Sequence, residues 1–129
     1  MKTIGSIESF TGGMFASEIV KIPGSSKYFK GSLVAYNNQL KEKLGIDTSN
    51  GVINEKVAKE MSLKGKEFLG VDICISFTGN AGPSAMEDKP VGLVFIAIND
   101  EVFTLNLIGN RNSIRNQAVQ FAKEKLGLV

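Results

Sequence analysis

Histidine is absent from all 129 residues, and cysteine occurs once, as Cys74. These two shortages remove a Ser-His-Asp triad, a Cys-His pair, a histidine-ligated zinc site and any structural zinc or disulfide framework. Cys74 lies in the apolar run Val71-Asp72-Ile73-Cys74-Ile75, where a lone cysteine behaves as a small core residue, so no catalytic role is assigned to it. A hydrolase built from this inventory takes its base from lysine, tyrosine, aspartate or glutamate, or from water on an oxygen-ligated metal. Long hydrophobic runs are missing too: the longest, residues 91–98, is far short of a membrane span, and the N-terminus lacks the apolar segment of a signal peptide. The expectation is a cytoplasmic protein with no membrane partner. Charge of one sign is equally scarce. Fifteen Lys and Arg against thirteen Asp and Glu leave +2, with the lysines dispersed beside glutamates on helical stretches, which speaks against a nucleic-acid partner.

What is present fits one ordinary globular domain spanning residues 1–129, without repeats, low-complexity segments or a linker. A strand-like run, 3–7, passes through Glu8-Ser9-Phe10-Thr11-Gly12-Gly13 into a helix over about 12–22, with Phe15, Ile19 and Ile22 at helical spacing. Pro23-Gly24 stops that helix, and Ser25-Ser26 opens a polar turn. Residues 31–36 read as a strand, 39–44 as a short helix, and 55–68 as a longer helix capped by Asn54, with Val57, Ala58, Met61 and Phe68 on its buried face. The run 71–77 reads as a strand covered on both sides. Strands at 91–98 and 102–107 flank a tight Asn99-Asp100 turn, and a last helix, 112–126, buries Ile114, Ala118, Phe121, Ala122 and Leu126. The order β-α-β-α-α-β-β-β-α predicts an α/β layered fold whose late hairpin makes the sheet mixed.

Three polar or glycine-rich turns follow strands: 9–13, 37–41 and 78–83. In open α/β sheets ligands bind beyond the carboxyl ends of strands, and parallel first and third strands bring two of these turns to one crevice. The first turn, leading into a helix, offers backbone N–H groups and a helix dipole to an anion or a developing oxyanion. None matches a dinucleotide fingerprint or a P-loop. On spacing alone, a ligand site and three plain turns, the first merely capped by Thr11, are equally good readings.

The motifs Glu8-Ser9-Phe10-Thr11-Gly12-Gly13, Pro23-Gly24-Ser25-Ser26, Val34-Ala35-Tyr36-Asn37-Asn38 with Lys41, Thr78-Gly79-Asn80-Ala81-Gly82-Pro83 and Lys89-Pro90-Val91-Gly92 occur in one order across nearly the whole chain. In that order and approximate spacing they resemble the CinA C-terminal domain family, the nicotinamide-nucleotide amidases. The resemblance implies a three-layer α/β/α sandwich around a mixed sheet. It also implies deamidation of nicotinamide mononucleotide to nicotinate mononucleotide and ammonia, with no metal or cofactor. Carried over by position, it makes Ser9 the nucleophile, with Tyr36 and Lys41 completing a serine-lysine site. A desolvated lysine is a credible base in a chain without histidine. Without the resemblance, Lys41 reads as a solvated residue like Lys43, and Tyr36 as a core aromatic. The expected mechanism has Lys41 taking the serine proton directly or through Tyr36, with an oxyanion hole from the N–H groups of Thr11, Gly12 and Gly13. Ser25, Ser26, Asn38, Thr78, Gly79, Ala81 and Gly82 are further candidates to line the substrate site. Arg111, ahead of the last helix, is the favoured phosphate ligand, whereas Arg115 reads as a solvated surface residue and Asn112 as the alternative role of that segment, a plain helix cap. Phe10 stands where the family usually has cysteine, and the helix that usually precedes the first strand has no counterpart here. A second reading is therefore a nucleotide-binding or interaction module of the same fold without catalysis. A homo-oligomer is left open.

Overall fold

The alternation of apolar residues sorts each strand onto two faces. The computed structural model, which describes residues 1–128, shows what covers each face. The elements are β1 (Ile4–Glu8), α1 (Met14–Val20), β2 (Phe29–Val34), α2 (Asn38–Lys43), α3 (Glu55–Leu69), β3 (Ile73–Gly79), β4 (Leu93–Ile98), β5 (Glu101–Asn106) and α4 (Arg111–Lys125), with a short 3-10 turn over Ser25–Lys27. The sheet order is β2-β1-β3-β4-β5. β1 runs parallel to both β2 and β3, and β4 and β5 are antiparallel additions, so the sheet is mixed.

One core lies under α1 and α4, where Phe15, Ile19, Ile114, Ala118 and Ala122 meet Ile75 and Phe77 of β3 and Val94 and Ile96 of β4. The other lies under α3, where Val57, Ala58 and Met61 meet Ile7, Cys74, Phe95 and Ala97. Helix α3 can approach β1 closely because residue 65 is glycine. A Cβ there would stand 2.2 Å from Ile7. Cys74 is buried, and burial pushes its thiol up to about 12, leaving it inert at neutral pH. No helix among the described residues is long and apolar enough to cross a membrane.

Several boundaries differ from the sequence reading, each for a physical reason. Helix α1 is shorter than expected because Gly12 and Gly13 both hold left-handed backbone, at φ 59° and 96°, and belong to the turn. Strand β2 starts at Phe29 and ends before Tyr36, because its pairing with β1 runs from Ile4↔Phe29 to Glu8↔Val34. Thr78 and Gly79 are paired with β4 inside β3 rather than forming a turn after it. Phe68 is 65% exposed on the outer side of α3. Asn54 caps α3 as expected, its side chain accepting from Val57 N–H, but the cap of α4 is Asn110 rather than Asn112, with Arg111 the first helical residue.

Candidate active site

Parallel β1 sits between β2 and β3, and the chain leaves it for β2 on one side before returning to β3 on the other. Its carboxyl end is therefore a topological switch point, the position at which open α/β sheets have their ligand crevice. Ser9 is the first residue past β1. Its N–H donates to the Phe77 carbonyl at 3.1 Å, and the residue is only 8% exposed.

Lys41 reaches the same point from α2. Asn37 caps that helix by accepting the Leu40 N–H. Because helical side chains lean toward the helix N-terminus, a lysine one turn in points back at the carbonyls that precede the cap. Its ammonium donates to Ser9 Oγ at 2.9 Å, the Ala35 carbonyl at 2.8 Å and the Tyr36 carbonyl at 3.2 Å, and the residue is wholly buried. Burial brings the ammonium down to about 8 from the usual 10.5, against opposition from the Glu87 carboxylate. In the neutral amine, two N–H bonds stay on the two carbonyls and the lone pair faces the serine hydroxyl. That is the orientation a base requires.

The first turn is held by a group the sequence reading passed over. Glu8, fully buried at the end of β1, accepts from the N–H groups of Gly13 (3.1 Å), Phe15 (3.0 Å) and Ala16 (3.0 Å), from the Thr11 hydroxyl (2.8 Å) and from the Ser32 hydroxyl (3.1 Å). Ser6 in turn donates to Ser32 Oγ at 2.7 Å. The carboxylate thus occupies the start of α1, so that helix end is matched by the protein's own anion rather than left for a ligand. Gly12 N–H is also spent, on the Ser9 carbonyl at 3.1 Å. Among the described residues, the N–H groups of Phe10 and Thr11 have no acceptor. They replace Gly12 and Gly13 as candidate oxyanion donors, in keeping with the use of the N–H that follows a nucleophile. The signal for Glu8 was in its strand: Ile4, Ser6 and Glu8 share the inward face toward α1.

The Tyr36 side chain does not meet Lys41. It is 59% exposed, and its hydroxyl accepts from Arg111 at 3.2 Å, so only the backbone of Tyr36 touches the ammonium. Arg111 also donates to the Gly82 carbonyl and so spans the mouth of the crevice from the start of α4 to the loop after β3. In that loop Asn80 is buried, its side-chain carbonyl accepting from Gly82 N–H and its amide donating to Lys89 O, and Ala81 is buried beside it. The Thr78 hydroxyl is turned away, donating to Val52 O at 2.7 Å. Asn38 is exposed on the first turn of α2. Ser25 and Ser26 lie just before β2, hence at the opposite end of the sheet from Ser9, and do not share its crevice within one chain. Phe10 turns its ring into the core under α1 and α4. Arg115, expected on the surface, donates instead to the carbonyls of Phe10 and Thr11 at 3.1 and 3.0 Å.

A family model described as "CinA C-terminal domain" matches residues 1–128. The chain is 43% identical over 129 residues to a "Putative competence-damage inducible protein" of Shouchella clausii, covering 92% of this chain and 31% of that protein. It is 44% identical over 134 residues to a "CinA-like protein" of Thermotoga sp., covering 97% and 33%. It thus spans about a third of the length of these curated relatives. Among solved structures, a CinA superfamily protein of Klebsiella pneumoniae superposes with a TM-score of 0.93 at 25% identity, over 98% of this chain and 85% of that one. The competence/damage inducible protein CihA of Agrobacterium tumefaciens gives 0.89 at 30% identity, over 97% and 83%.

Proposed function

Because the chain belongs to the CinA C-terminal domain family, we propose that it is an amidase that deamidates nicotinamide mononucleotide by a serine-lysine mechanism. One observation carries this reading: Lys41 Nζ lies 2.9 Å from Ser9 Oγ with its other donors fixed on two carbonyls. Ser9 Oγ attacks the carboxamide carbon as its proton passes to neutral Lys41, and the carbonyl oxygen becomes an oxyanion facing the N–H groups of Phe10 and Thr11. Lys41 then returns that proton to the departing nitrogen, which leaves as ammonia while the acyl-serine ester forms. Water, deprotonated by Lys41, splits the ester to release nicotinate mononucleotide and restore the serine. Lys41 bonds the serine without an intermediary, so the Tyr36 phenol is not needed as a relay. Arg111 is the proposed phosphate ligand, through the N–H groups it does not spend on Gly82 and Tyr36. The test is ammonia release from nicotinamide mononucleotide by the purified protein, with Ser9→Ala and Lys41→Ala alongside. Turnover is expected in the parent and in neither variant. Activity that survives both substitutions sinks the assignment, and tight nucleotide binding without turnover favours a non-catalytic module.

A further inference from the structure

We infer that Arg115 is a positioning residue that orients the oxyanion-binding peptide of the Ser9 turn, an inference that rests on the serine-amidase reading above. Two hydrogen bonds motivate it. From the second turn of α4, Arg115 Nε donates to the Phe10 carbonyl at 3.1 Å, and its terminal nitrogen donates to the Thr11 carbonyl at 3.0 Å. A third, to the Asn112 side chain at 3.2 Å, steadies the guanidinium from its own helix. In a trans peptide the C=O and N–H point in opposite directions. Fixing the Phe10 carbonyl therefore fixes where the Thr11 N–H points, and this N–H is one of the two in the turn with no acceptor among the described residues. The remaining peptides are pinned independently: the Ser9 carbonyl accepts from Gly12 N–H, and Glu8 holds Gly13, Phe15 and Ala16. The Thr11 carbonyl also accepts from Met14 N–H, whereas among the described residues the Phe10–Thr11 peptide is held by Arg115 alone. A lysine in place of Arg115 keeps the charge but loses the planar fork that spans two neighbouring carbonyls. Glycine at position 12 is favoured by its left-handed backbone, at φ 59°, while a Cβ there would meet the guanidinium only in ordinary contact at 3.6 Å.

A positioning role of this kind affects the transition state and not substrate binding. For Arg115→Ala, kcat for nicotinamide mononucleotide is expected to fall about 10- to 100-fold with KM changed less than about twofold, somewhat below the loss of a whole oxyanion donor. The apparent pKa of the activity is expected to stay where Lys41 sets it. Arg115→Lys is expected to give a smaller loss in the same direction, and it preserves the readout if the alanine variant folds poorly. A fluorophosphonate that labels Ser9 supplies a second readout free of the substrate, because its phosphoryl oxygen takes the oxyanion position. Its second-order labelling rate is expected to fall in parallel with kcat. A parent protein that labels and turns over, with both Arg115 variants unaffected or altered only in KM, overturns this inference alone. A parent protein that neither labels nor turns over overturns the amidase reading and this inference with it.

Discussion

Two turns leave parallel strands side by side, and each carries one buried charge, yet the two charges are treated in opposite ways. After β1, Glu8 is enclosed by five donors, three of them backbone N–H groups from a single stretch of chain. After β2, Lys41 has two carbonyls and one hydroxyl, and no carboxylate within salt-bridging distance among the described residues. A buried charge whose partners are all fixed dipoles is structural, since moving it strands every donor it satisfied. A buried charge with few partners, one of them a reactive hydroxyl, sits close to losing its proton and is available for chemistry. The same fold feature therefore gives an anchor on one side of the crevice and, on the proposed reading, a base on the other.

The comparison is broken most severely at the base. Lys41→Met is expected to lower kcat/KM for nicotinamide mononucleotide by about 10³-fold, within the usual range for a lost general base, without lowering the urea midpoint at pH 7. An unfolded variant would show that Lys41 is an anchor like Glu8. At the other turn, Glu8→Ala leaves three N–H groups without their acceptor and is expected to cost about 3 kcal/mol in urea unfolding. A loss below about 1 kcal/mol would mean that the glycine turn holds itself.

Titration sharpens the contrast. The lysine binds its proton less tightly folded, at about 8, than unfolded, near 10.5. Between those values the unfolded chain carries more protons, so parental stability is expected to rise with pH across that window, by about 3 kcal/mol in all. Lys41→Met lacks this slope, so its stability advantage shrinks from pH 8 to 10.5, as urea titrations at stepped pH will show. The same ionisation makes kcat/KM rise with an apparent pKa near 8, the limb belonging to the neutral amine.

A third charge, Arg111, is exposed and half-committed, bonded to Gly82 and to the Tyr36 hydroxyl. Arg111→Ala is expected to weaken nicotinamide mononucleotide by about 1.5 to 3 kcal/mol while leaving the unphosphorylated riboside little affected. Equal losses for both would assign Arg111 to folding or to the reacting end. The smallest effect is reserved for Tyr36→Phe, which removes only the bond to Arg111. A drop in kcat of about two- to fivefold is expected, below the 10²-fold or more that a lost proton-transfer group would cost.

The layered α/β order, the mixed sheet and the hairpin at Asn99-Asp100 were legible in the chain because each rests on local periodicity and turn chemistry. So was the restriction of any base to lysine, tyrosine, a carboxylate or water on an oxygen-ligated metal, since inventory needs no geometry. Contacts between distant segments were not legible. Lys41 and Lys43 are equivalent on paper, and only the packing of α2 against the end of β2 buries one and leaves the other exposed. Ser25 and Ser26 look as fit for a site as Ser9 until strand direction places them at the far end of the sheet. Arg115 reads as solvated until α4 docks beside α1 and its guanidinium meets the carbonyls of Phe10 and Thr11. Composition and periodicity determine which groups exist and which elements form. Which buried charge becomes an anchor and which is left free for the proposed role of base is decided by the number of fixed dipoles that tertiary packing brings to each.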